Sequence, residues 1–299
     1  MARSVAVLEA PSNLGLKPPR PGHAPGVWRM PDALHAAGLL RKLEASEGGR
    51  VTPPPYEPDV DSATGIRNAR AIRAYSEELA DHVQAHLPSA EFLLVLGGDC
   101  SILLGTMLGL RRVGDFGLLY IDGHTDFSLP STSPSGGAAG MDLALVCGSG
   151  PEELTNIDGL KPLVRDAAVA ALGYRDVRDP ARYYGRAIFD SAVLRYDLAA
   201  LRRLGPARSA ADALAAVQRA GVEGLWVHVD VDVLDSTIFP AVDSPQPDGL
   251  SYNELIEILR TVLASGLGVG MQVTIFDPEL DPDGRMAREL TDVLVAVLK

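Results

Sequence analysis

The chain has 299 residues, of which 46% are hydrophobic and 22% are charged, so it holds enough apolar material for one large α/β domain or two small ones. Its 27 Lys and Arg residues against 39 Asp and Glu residues give a formal net charge of −12. This balance argues against a nucleic-acid partner, because neutralising phosphates needs clustered basic side chains. No run of 18 apolar residues occurs in the sequence, which argues against a membrane span.

The two cysteines, Cys100 and Cys147, lie in or beside apolar runs. So small a number does not indicate a disulfide framework and fits a reducing compartment. We therefore expect a cytoplasmic protein.

Apolar runs and helical spacings alternate through most of the sequence. In chain order, the runs that predict strands cover residues 4–8, 92–96, 117–121, 225–231 and 268–276. Helices are predicted over residues 32–43, 66–87, 99–111, 194–204, 210–220, 255–263 and 284–298. Shorter apolar runs cover residues 143–146 and 168–172. This alternation predicts a parallel sheet covered on both faces, in a single domain over residues 1–299.

Local signals mark some helix starts and several loops. Asp32 and Asp99 are candidate N-caps, and Ser251 with Glu254 forms a capping-box pattern. Residues 9–31 and 48–62 are rich in Pro and Gly and are expected to be loops. Residues 127–140 are the most loop-like stretch near the candidate ligands, and this stretch is either a substrate lid or a connector.

Polar side chains follow three of the predicted strands. They are Asp99, Cys100 and Ser101 after the second strand, Asp122, His124 and Asp126 after the third, and His228, Asp230 and Asp232 in the fourth. Residues two apart in an extended backbone point to the same side. Since sites in open α/β sheets are built at the carboxyl ends of the strands, we expect these three clusters to meet.

The pooled side chains are too many for one metal ion and suit two ions that share a carboxylate. The predicted ligands are Cys100, Asp122, His124, Asp126, Asp230 and Asp232. Carboxylates with one imidazole favour Mn²⁺ or Mg²⁺, whereas a thiolate favours the softer Zn²⁺ or Fe²⁺. Paired ions activate a bridging water and polarise the group that it attacks. The residue types alone therefore predict a metal-assisted hydrolase.

The three motifs together resemble the arginase/agmatinase (ureohydrolase) family. They read Gly-Gly-Asp-Cys-Ser at 97–101, Asp-Gly-His-Thr-Asp at 122–126 and His-Val-Asp-Val-Asp-Val-Leu-Asp at 228–235, and their order and separation match over most of the chain. The resemblance implies a three-layer α/β/α fold, two Mn²⁺ ions per subunit and a homo-oligomer. It also implies that a metal-bridging hydroxide attacks a small guanidino or amidino substrate and releases urea or a similar product.

Transferred residue by residue, the resemblance implies that Asp122 and Asp230 bridge the two ions. Cys100 and Asp126 would complete the ligands of one ion, and His124 and Asp232 those of the other. It also implies that Asp126 accepts the remaining proton of the nucleophile, which makes it a candidate catalytic residue. Asp99 and Asp235 match positions that support the site without ligating a metal.

Two departures from the family pattern fall on the motifs themselves. Cys100 stands where the family usually has a metal-binding His, and it is either a thiolate ligand or a small buried residue beside a site that has lost a ligand. His228 replaces a Ser or Thr, and on strand periodicity it points the same way as Asp230. It is either a second candidate catalytic residue or a core imidazole.

Two further departures concern the substrate. Residues 137–142 lack the His that the family carries in this loop, and Ile275 occupies the place of a guanidinium-binding Glu. An apolar side chain cannot pair with a guanidinium, and Asp142, Thr274 or Asp277 are candidates to replace the missing carboxylate. We expect a modified guanidine, such as an N-hydroxylated arginine, or another linear amidine. The alternative is a non-catalytic, metal-binding relative that acts as a binding or assembly protein.

Overall fold

The computed structural model describes residues 4–89, 91–176 and 186–299. Within them, all eight strands belong to one sheet in the order β2-β1-β3-β8-β7-β4-β5-β6, and every neighbouring pair is parallel. The strands are β1 Val5–Ala10, β2 Ser46–Arg50, β3 Phe92–Gly97, β4 Phe116–Ile121, β5 Val169–Leu172, β6 Leu194–Tyr196, β7 Gly224–Asp230 and β8 Gly268–Thr274.

Helices cover both faces of this sheet. They are α1 Met30–Ala36, α2 Leu39–Leu43, α3 Ala69–His86, α4 Ile102–Arg111, α5 Asp142–Val146, α6 Glu152–Thr155, α7 Leu198–Leu204, α8 Pro206–Arg219, α9 Tyr252–Ala264 and α10 Arg285–Leu298. Strand residues alternate between two apolar cores. In β3, for example, Leu94 belongs to the core that includes residues of α1, α8, α9 and α10, whereas Leu93 belongs to the core that includes residues of α3 and α4. The expected α/β fold in three layers is confirmed, and the sheet is wholly parallel over the described residues.

Three elements differ from the sequence prediction. β2 was not predicted and its last three residues lie in the stretch 48–62 predicted as loop, because Ser-Glu-Gly-Gly-Arg has no apolar pattern and pairs only with β1 at the sheet edge. The helix predicted over 194–204 is wrong at its start, where β6 precedes Asp197, whose side chain accepts from the backbone N–H of Ala200 and caps α7. The helix predicted over 32–43 is broken at Gly38, which has a φ of 85°.

Of the predicted N-terminal helix caps, the one at Ser251 is confirmed, and those at Asp32 and Asp99 are wrong. The Ser251–Glu254 capping box is present at the start of α9. Asp32 lies in the first turn of α1 and pairs with Arg50 instead of capping the helix. Asp99 lies before the N-cap of α4, which is Ser101.

The topology decides where the polar motifs meet. The central strands are β3, β8, β7 and β4, and the motifs follow the carboxyl ends of β3, β7 and β4. Asp230 at the end of β7 is in register with Thr274 at the end of β8. No helix in the described part of the chain is long and apolar enough to cross a bilayer.

Candidate metal centre

The turn after β3 places Cys100. A Cβ atom on Gly98 would lie 1.6 Å from the carbonyl oxygen of Ser12, so only glycine allows the backbone to pass so close. The hydroxyl of Ser12 donates to Asp99 at 2.7 Å, and the backbone N–H of Ser101 donates to the same carboxylate at 2.8 Å. Asp99 therefore holds the turn, which is the kind of supporting role that the family resemblance implies, and the neighbouring Cys100 is wholly buried.

The turn after β4 carries Asp122, His124 and Asp126. The backbone N–H of His124 donates to Asp122 Oδ1 at 2.6 Å, which closes the turn around that carboxylate. Asp126 has a φ of 40°, a left-handed conformation that is uncommon for a residue other than glycine. The hydroxyl of Tyr120 lies 3.1 Å from Asp126 Oδ2 and 2.9 Å from Asp142 Oδ1. One phenolic proton thus lies between the buried carboxylate of Asp142 and the half-buried carboxylate of Asp126.

The end of β7 is built in the same way. The backbone N–H of Asp232 donates to Asp230 Oδ1 at 2.7 Å, and the backbone N–H of Gly123 donates to Asp232 Oδ1 at 3.1 Å. The second oxygen of Asp232 lies 2.9 Å from His124 Nδ1. The motifs after β4 and β7 are therefore joined through both backbone and side chains.

The structure brings all six predicted ligands together in two overlapping groups. Within each group, one ligand atom per residue lies within 4.8 Å of the others. The groups are Cys100, Asp122, Asp126 and Asp230, and Asp122, His124 and Asp232. Asp122 belongs to both groups. Asp230, the other expected bridge, falls in the first group only, where its Oδ2 accepts from the Cys100 thiol at 3.0 Å.

So many buried carboxylates oppose one another's ionisation. Burial and the charge of Asp232 raise the pKa of Asp122 to about 6, and burial with neighbouring carboxylates raises the pKa values of Asp126 and Asp230 well above their usual range. Burial favours neutral His124, but the charge of Asp232 and hydrogen bonding to Asp122 and Asp232 outweigh it and raise its pKa well above the usual value. The protein alone leaves this negative charge poorly compensated.

A cavity of about 220 Å³ opens onto the cluster. Five of the six predicted ligands line it: Cys100, His124, Asp126, Asp230 and Asp232. Apolar contacts come from Ala139 and Ile275, whereas the exposed side chains of Lys17 and Asp243 also line it. The cavity thus joins the carboxylate cluster to solvent.

Of the residues considered for substrate contact, Ile275 lines the cavity, whereas the residues considered as its replacement do not. Ile275 lines the cavity, is 3% exposed and has a φ of 75°, an outlier for a β-branched residue. None of the three residues considered as its replacement lines this cavity. Asp142 accepts from Tyr120, Thr274 lies 3.2 Å from the Cys100 sulfur, and Asp277 accepts from the backbone of Gly26.

His228 is wholly buried and does not line the cavity. Its ring stacks on Tyr120, with centroids 4.4 Å apart, and its Nε2 lies 3.9 Å from Asp122 Oδ2. His228 also forms a third possible group with Cys100 and Asp122. It therefore contacts the cluster from inside the sheet and not from the substrate side.

Sequence reasoning missed several residues that hold the cluster in place. Buried Arg175 donates to the backbone carbonyls of Asp232 at 2.8 Å and Gln246 at 3.0 Å. The Gln246 side chain in turn lies 2.7 Å from His124 Nε2. Arg175 lies three residues after the end of β5, and a charged residue this close to a buried strand was the one signal available in the sequence.

Comparison with known proteins decides the family, because a model of the arginase family matches residues 4–298. The chain belongs to the arginase family. It is 27% identical to the arginase of Bacillus subtilis over 304 residues, which covers 100% of this chain and 98% of that relative. It is 28% identical to arginase-1 of Homo sapiens over 299 residues, covering 97% and 89%. The arginase structure from Bacillus caldovelox matches with a TM-score of 0.87 at 26% identity, covering 99% and 98%.

Membership fixes the reaction class. Arginase-family enzymes hydrolyse carbon–nitrogen bonds other than peptide bonds, and this chain is such a hydrolase. The family normally holds a binuclear metal centre, for which this chain offers the candidate groups described above. The alternative of a non-catalytic binding protein is not favoured by relatives that are named as enzymes.

Proposed function

We propose that this chain hydrolyses a linear guanidino or amidino carbon–nitrogen bond with the help of two divalent cations. One observation carries the proposal: six side chains of ligand type, from three separate strand ends, form two groups that share Asp122, and five of the six line a cavity. Relatives named arginase at 27–28% identity support a guanidino substrate.

The donor set fits a pair of cations. Asp122 Oδ2 is buried and has no hydrogen-bond partner among the described residues, so an acceptor faces the cluster unsatisfied. Carboxylates that raise one another's pKa are stabilised when a cation lies between them. Cys100 and Asp126 would hold one ion, His124 and Asp232 the other, with Asp122 and Asp230 between them.

The cations would polarise the scissile group and lower the pKa of water. The chain itself supplies a proton acceptor and its orientation. Asp126 reaches the cavity wall and accepts a proton from the attacking water, whereas the Tyr120 hydroxyl, 3.1 Å away, fixes the position of its second oxygen. We propose Asp126 as the catalytic residue of this chain.

The cavity walls suggest what the substrate looks like. Ile275 and Ala139 offer apolar contact and no charge, so a group with reduced positive charge suits this wall better than a full guanidinium. Lys17 and Asp243 carry opposite charges where the cavity is exposed. This pair favours a zwitterionic tail, and we propose an amino acid with a modified guanidine or a linear amidine.

The test is release of urea, or of the corresponding substituted product, from purified protein loaded with Mn²⁺. The panel contains arginine, agmatine, guanidino acids and N-hydroxyarginine, with Asp122→Asn as the matched inactive variant. We expect turnover of at least one member by the wild-type chain and none by the variant. Full activity in Asp122→Asn, or no turnover of any guanidine or linear amidine by the loaded wild type, would contradict the proposal.

Two attributes of the chain remain proposals. A cytoplasmic location is supported by the two free cysteines, Cys100 and Cys147, which suit a reducing compartment. Assembly into a homo-oligomer rests on the family resemblance, and the mass in solution measured by light scattering tests it.

A further inference from the structure

The side-chain amide of Gln272 in β8 has a fixed orientation. Its Oε1 lies 3.0 Å from the indole Nε1 of Trp226 and 2.6 Å from the hydroxyl of Thr106, and all three side chains are buried. An indole N–H donates and never accepts, so the atom that faces it must be the amide oxygen. The amide nitrogen of Gln272 therefore points the other way.

That nitrogen lies 2.7 Å from His228 Nδ1. An amide N–H₂ also donates and never accepts, so Nδ1 must offer its lone pair. A neutral imidazole carries one proton, and with Nδ1 as acceptor that proton is on Nε2. The orientation of one amide thus decides the tautomer of one histidine.

The other ring nitrogen faces the metal cluster. His228 Nε2 lies 3.9 Å from Asp122 Oδ2, and both atoms are buried without a hydrogen-bond partner in the part of the chain that the structure describes. Tyr120 stacks on the imidazole at an interplanar angle of 5° and so fixes the plane of the ring. A lone pair on Nε2 would make His228 a metal ligand together with Cys100 and Asp122.

We propose that Trp226 and Thr106, acting through Gln272, hold His228 as the Nε2–H tautomer, which keeps it from ligating a metal and presents a proton to Asp122. His228 is then a positioning residue: its N–H stabilises the ionised form of the carboxylate that both ligand groups share. At 3.9 Å this is an electrostatic contact and not a full hydrogen bond. The role at the metals rests on the proposed function, whereas the tautomer does not.

The tautomer is measured directly by two-bond ¹H–¹⁵N correlation NMR on metal-free protein labelled with ¹⁵N-histidine. Six histidines contribute signals, and the spin system missing from His228→Gln identifies the ring of interest. We expect protonated Nε2 and unprotonated Nδ1. We also expect Zn²⁺ to shift the ring nitrogens of His124 while His228 keeps its tautomer. Protonated Nδ1, or loss of the Nε2 proton on adding Zn²⁺, would overturn the proposal.

Gln272→Glu should reverse the tautomer of His228. One carboxylate oxygen accepts from Trp226 and Thr106 while the other faces His228 Nδ1, so the ring proton moves to Nδ1 and Nε2 gains a free lone pair. We expect the opposite NMR pattern and a gain of at least about tenfold in Zn²⁺ affinity, on the scale of known effects from groups that orient ligands. The control is Gln218→Glu, which adds the same charge at an exposed position of α8.

A second variant serves if the Glu variant does not fold. Trp226→Phe removes the indole N–H, the group near Gln272 that can only donate a hydrogen bond. The Thr106 hydroxyl does not fix the amide in the same way, because it also lies 3.1 Å from the Leu103 carbonyl and can donate there instead. The amide of Gln272 is then free to rotate, and we expect a mixture of tautomers. A single, unchanged Nε2–H tautomer in Trp226→Phe would refute the role of the indole. If the tautomer behaves as expected and no guanidine or linear amidine is hydrolysed, the proposed function fails and this inference stands.

Discussion

The thiol of Cys100 donates to Asp230 Oδ2 across 3.0 Å, joining the ends of β3 and β7 at the floor of the cavity. Burial, together with the charge of Asp230, raises the pKa of Cys100 well above its usual value, so the metal-free protein holds a thiol. A cation that bound here would displace that proton and gain a soft ligand.

We predict that Cys100 decides the metal preference. Cys100→His should shift the preference from Zn²⁺ or Fe²⁺ towards Mn²⁺, because imidazole is a harder ligand than thiolate. Cys100→Ser should weaken Zn²⁺ binding by about tenfold or more, a loss of roughly 1.4 kcal/mol. Competition titration against a fluorescent chelator gives both affinities.

The second cysteine provides the control for these variants. Cys147 lies outside both candidate ligand groups, so Cys147→Ser should leave the metal affinities unchanged. Equal affinities for Zn²⁺ in the wild type and in Cys100→Ser would show that Cys100 is only a small buried residue.

The stability of the metal-free protein should depend on Asp122 between pH 3.8 and about 6. Burial raises its pKa in the folded state to about 6 from the usual 3.8, so the folded state binds the proton more tightly than the unfolded state. Asp122 therefore contributes stability fully below pH 3.8, and this contribution is lost as the pH rises through 6. A shift of this size amounts to roughly 3 kcal/mol.

Urea unfolding of metal-depleted protein at several pH values tests this prediction. The difference in unfolding free energy between wild type and Asp122→Asn should fall as the pH rises from 4 to 6.5, because Asn does not titrate. Saturating metal should remove the loss, since the cation stabilises the ionised carboxylate. A difference that stays constant over this range would mean that the pKa of Asp122 is not raised.

The sheet and the meeting of the polar motifs at one edge were predictable from sequence, because both depend on local pattern. Buried parallel strands appear as continuous apolar runs, and polar residues directly after them fall at one edge of the sheet whatever the strand order. β2 and β6 were not predictable in this way. Glycines in β2 leave no apolar alternation, and the three residues of β6 run directly into the Leu- and Ala-rich pattern of α7.

The residues that hold the ligands could not be found from sequence, since their roles depend on contacts between distant segments. Trp226 and Gln272 are 46 residues apart, and Tyr120 and Asp142 are 22 apart. Each looks like an ordinary buried or polar residue in its own strand or helix. Only the strand order, which places β7 between β8 and β4, makes Gln272 the partner of His228.

Gly98 should be essential for the position of Cys100. Gly98→Ala would set a Cβ atom 1.6 Å from the Ser12 carbonyl oxygen, so the turn after β3 must move. Overpacking of this kind costs about 1–3 kcal/mol or more. We expect Gly98→Ala to show both a lower midpoint of urea unfolding and weaker metal binding.

Gly140 is the matched control for this substitution. It also lines the cavity, but an added Cβ would meet nothing within 4 Å. Gly140→Ala should therefore leave the urea midpoint and the metal affinity close to those of the wild type. A Gly98→Ala protein as stable as Gly140→Ala would show that the turn can relax without cost.

Ile275 should decide which charge the substrate carries. Its backbone N–H donates to the Gly98 carbonyl at 2.7 Å, and this bond helps to hold the uncommon φ of 75° and keeps the side chain on the cavity wall. In Ile275→Glu a carboxylate replaces the apolar contact. A hydrogen bond to a charged group contributes about 1.5–3 kcal/mol, so KM for arginine or agmatine should fall by about tenfold or more.

Ile275→Gln separates charge from shape, because it has nearly the size of Glu and no charge. KM for cationic guanidines should therefore be close to the wild-type value in Ile275→Gln and low only in Ile275→Glu. Activity on the native substrate should fall in both variants, since each places a polar group against a wall that was apolar. If Gln lowers KM for arginine as much as Glu does, the effect comes from hydrogen bonding or space, and Ile275 does not select against a cation.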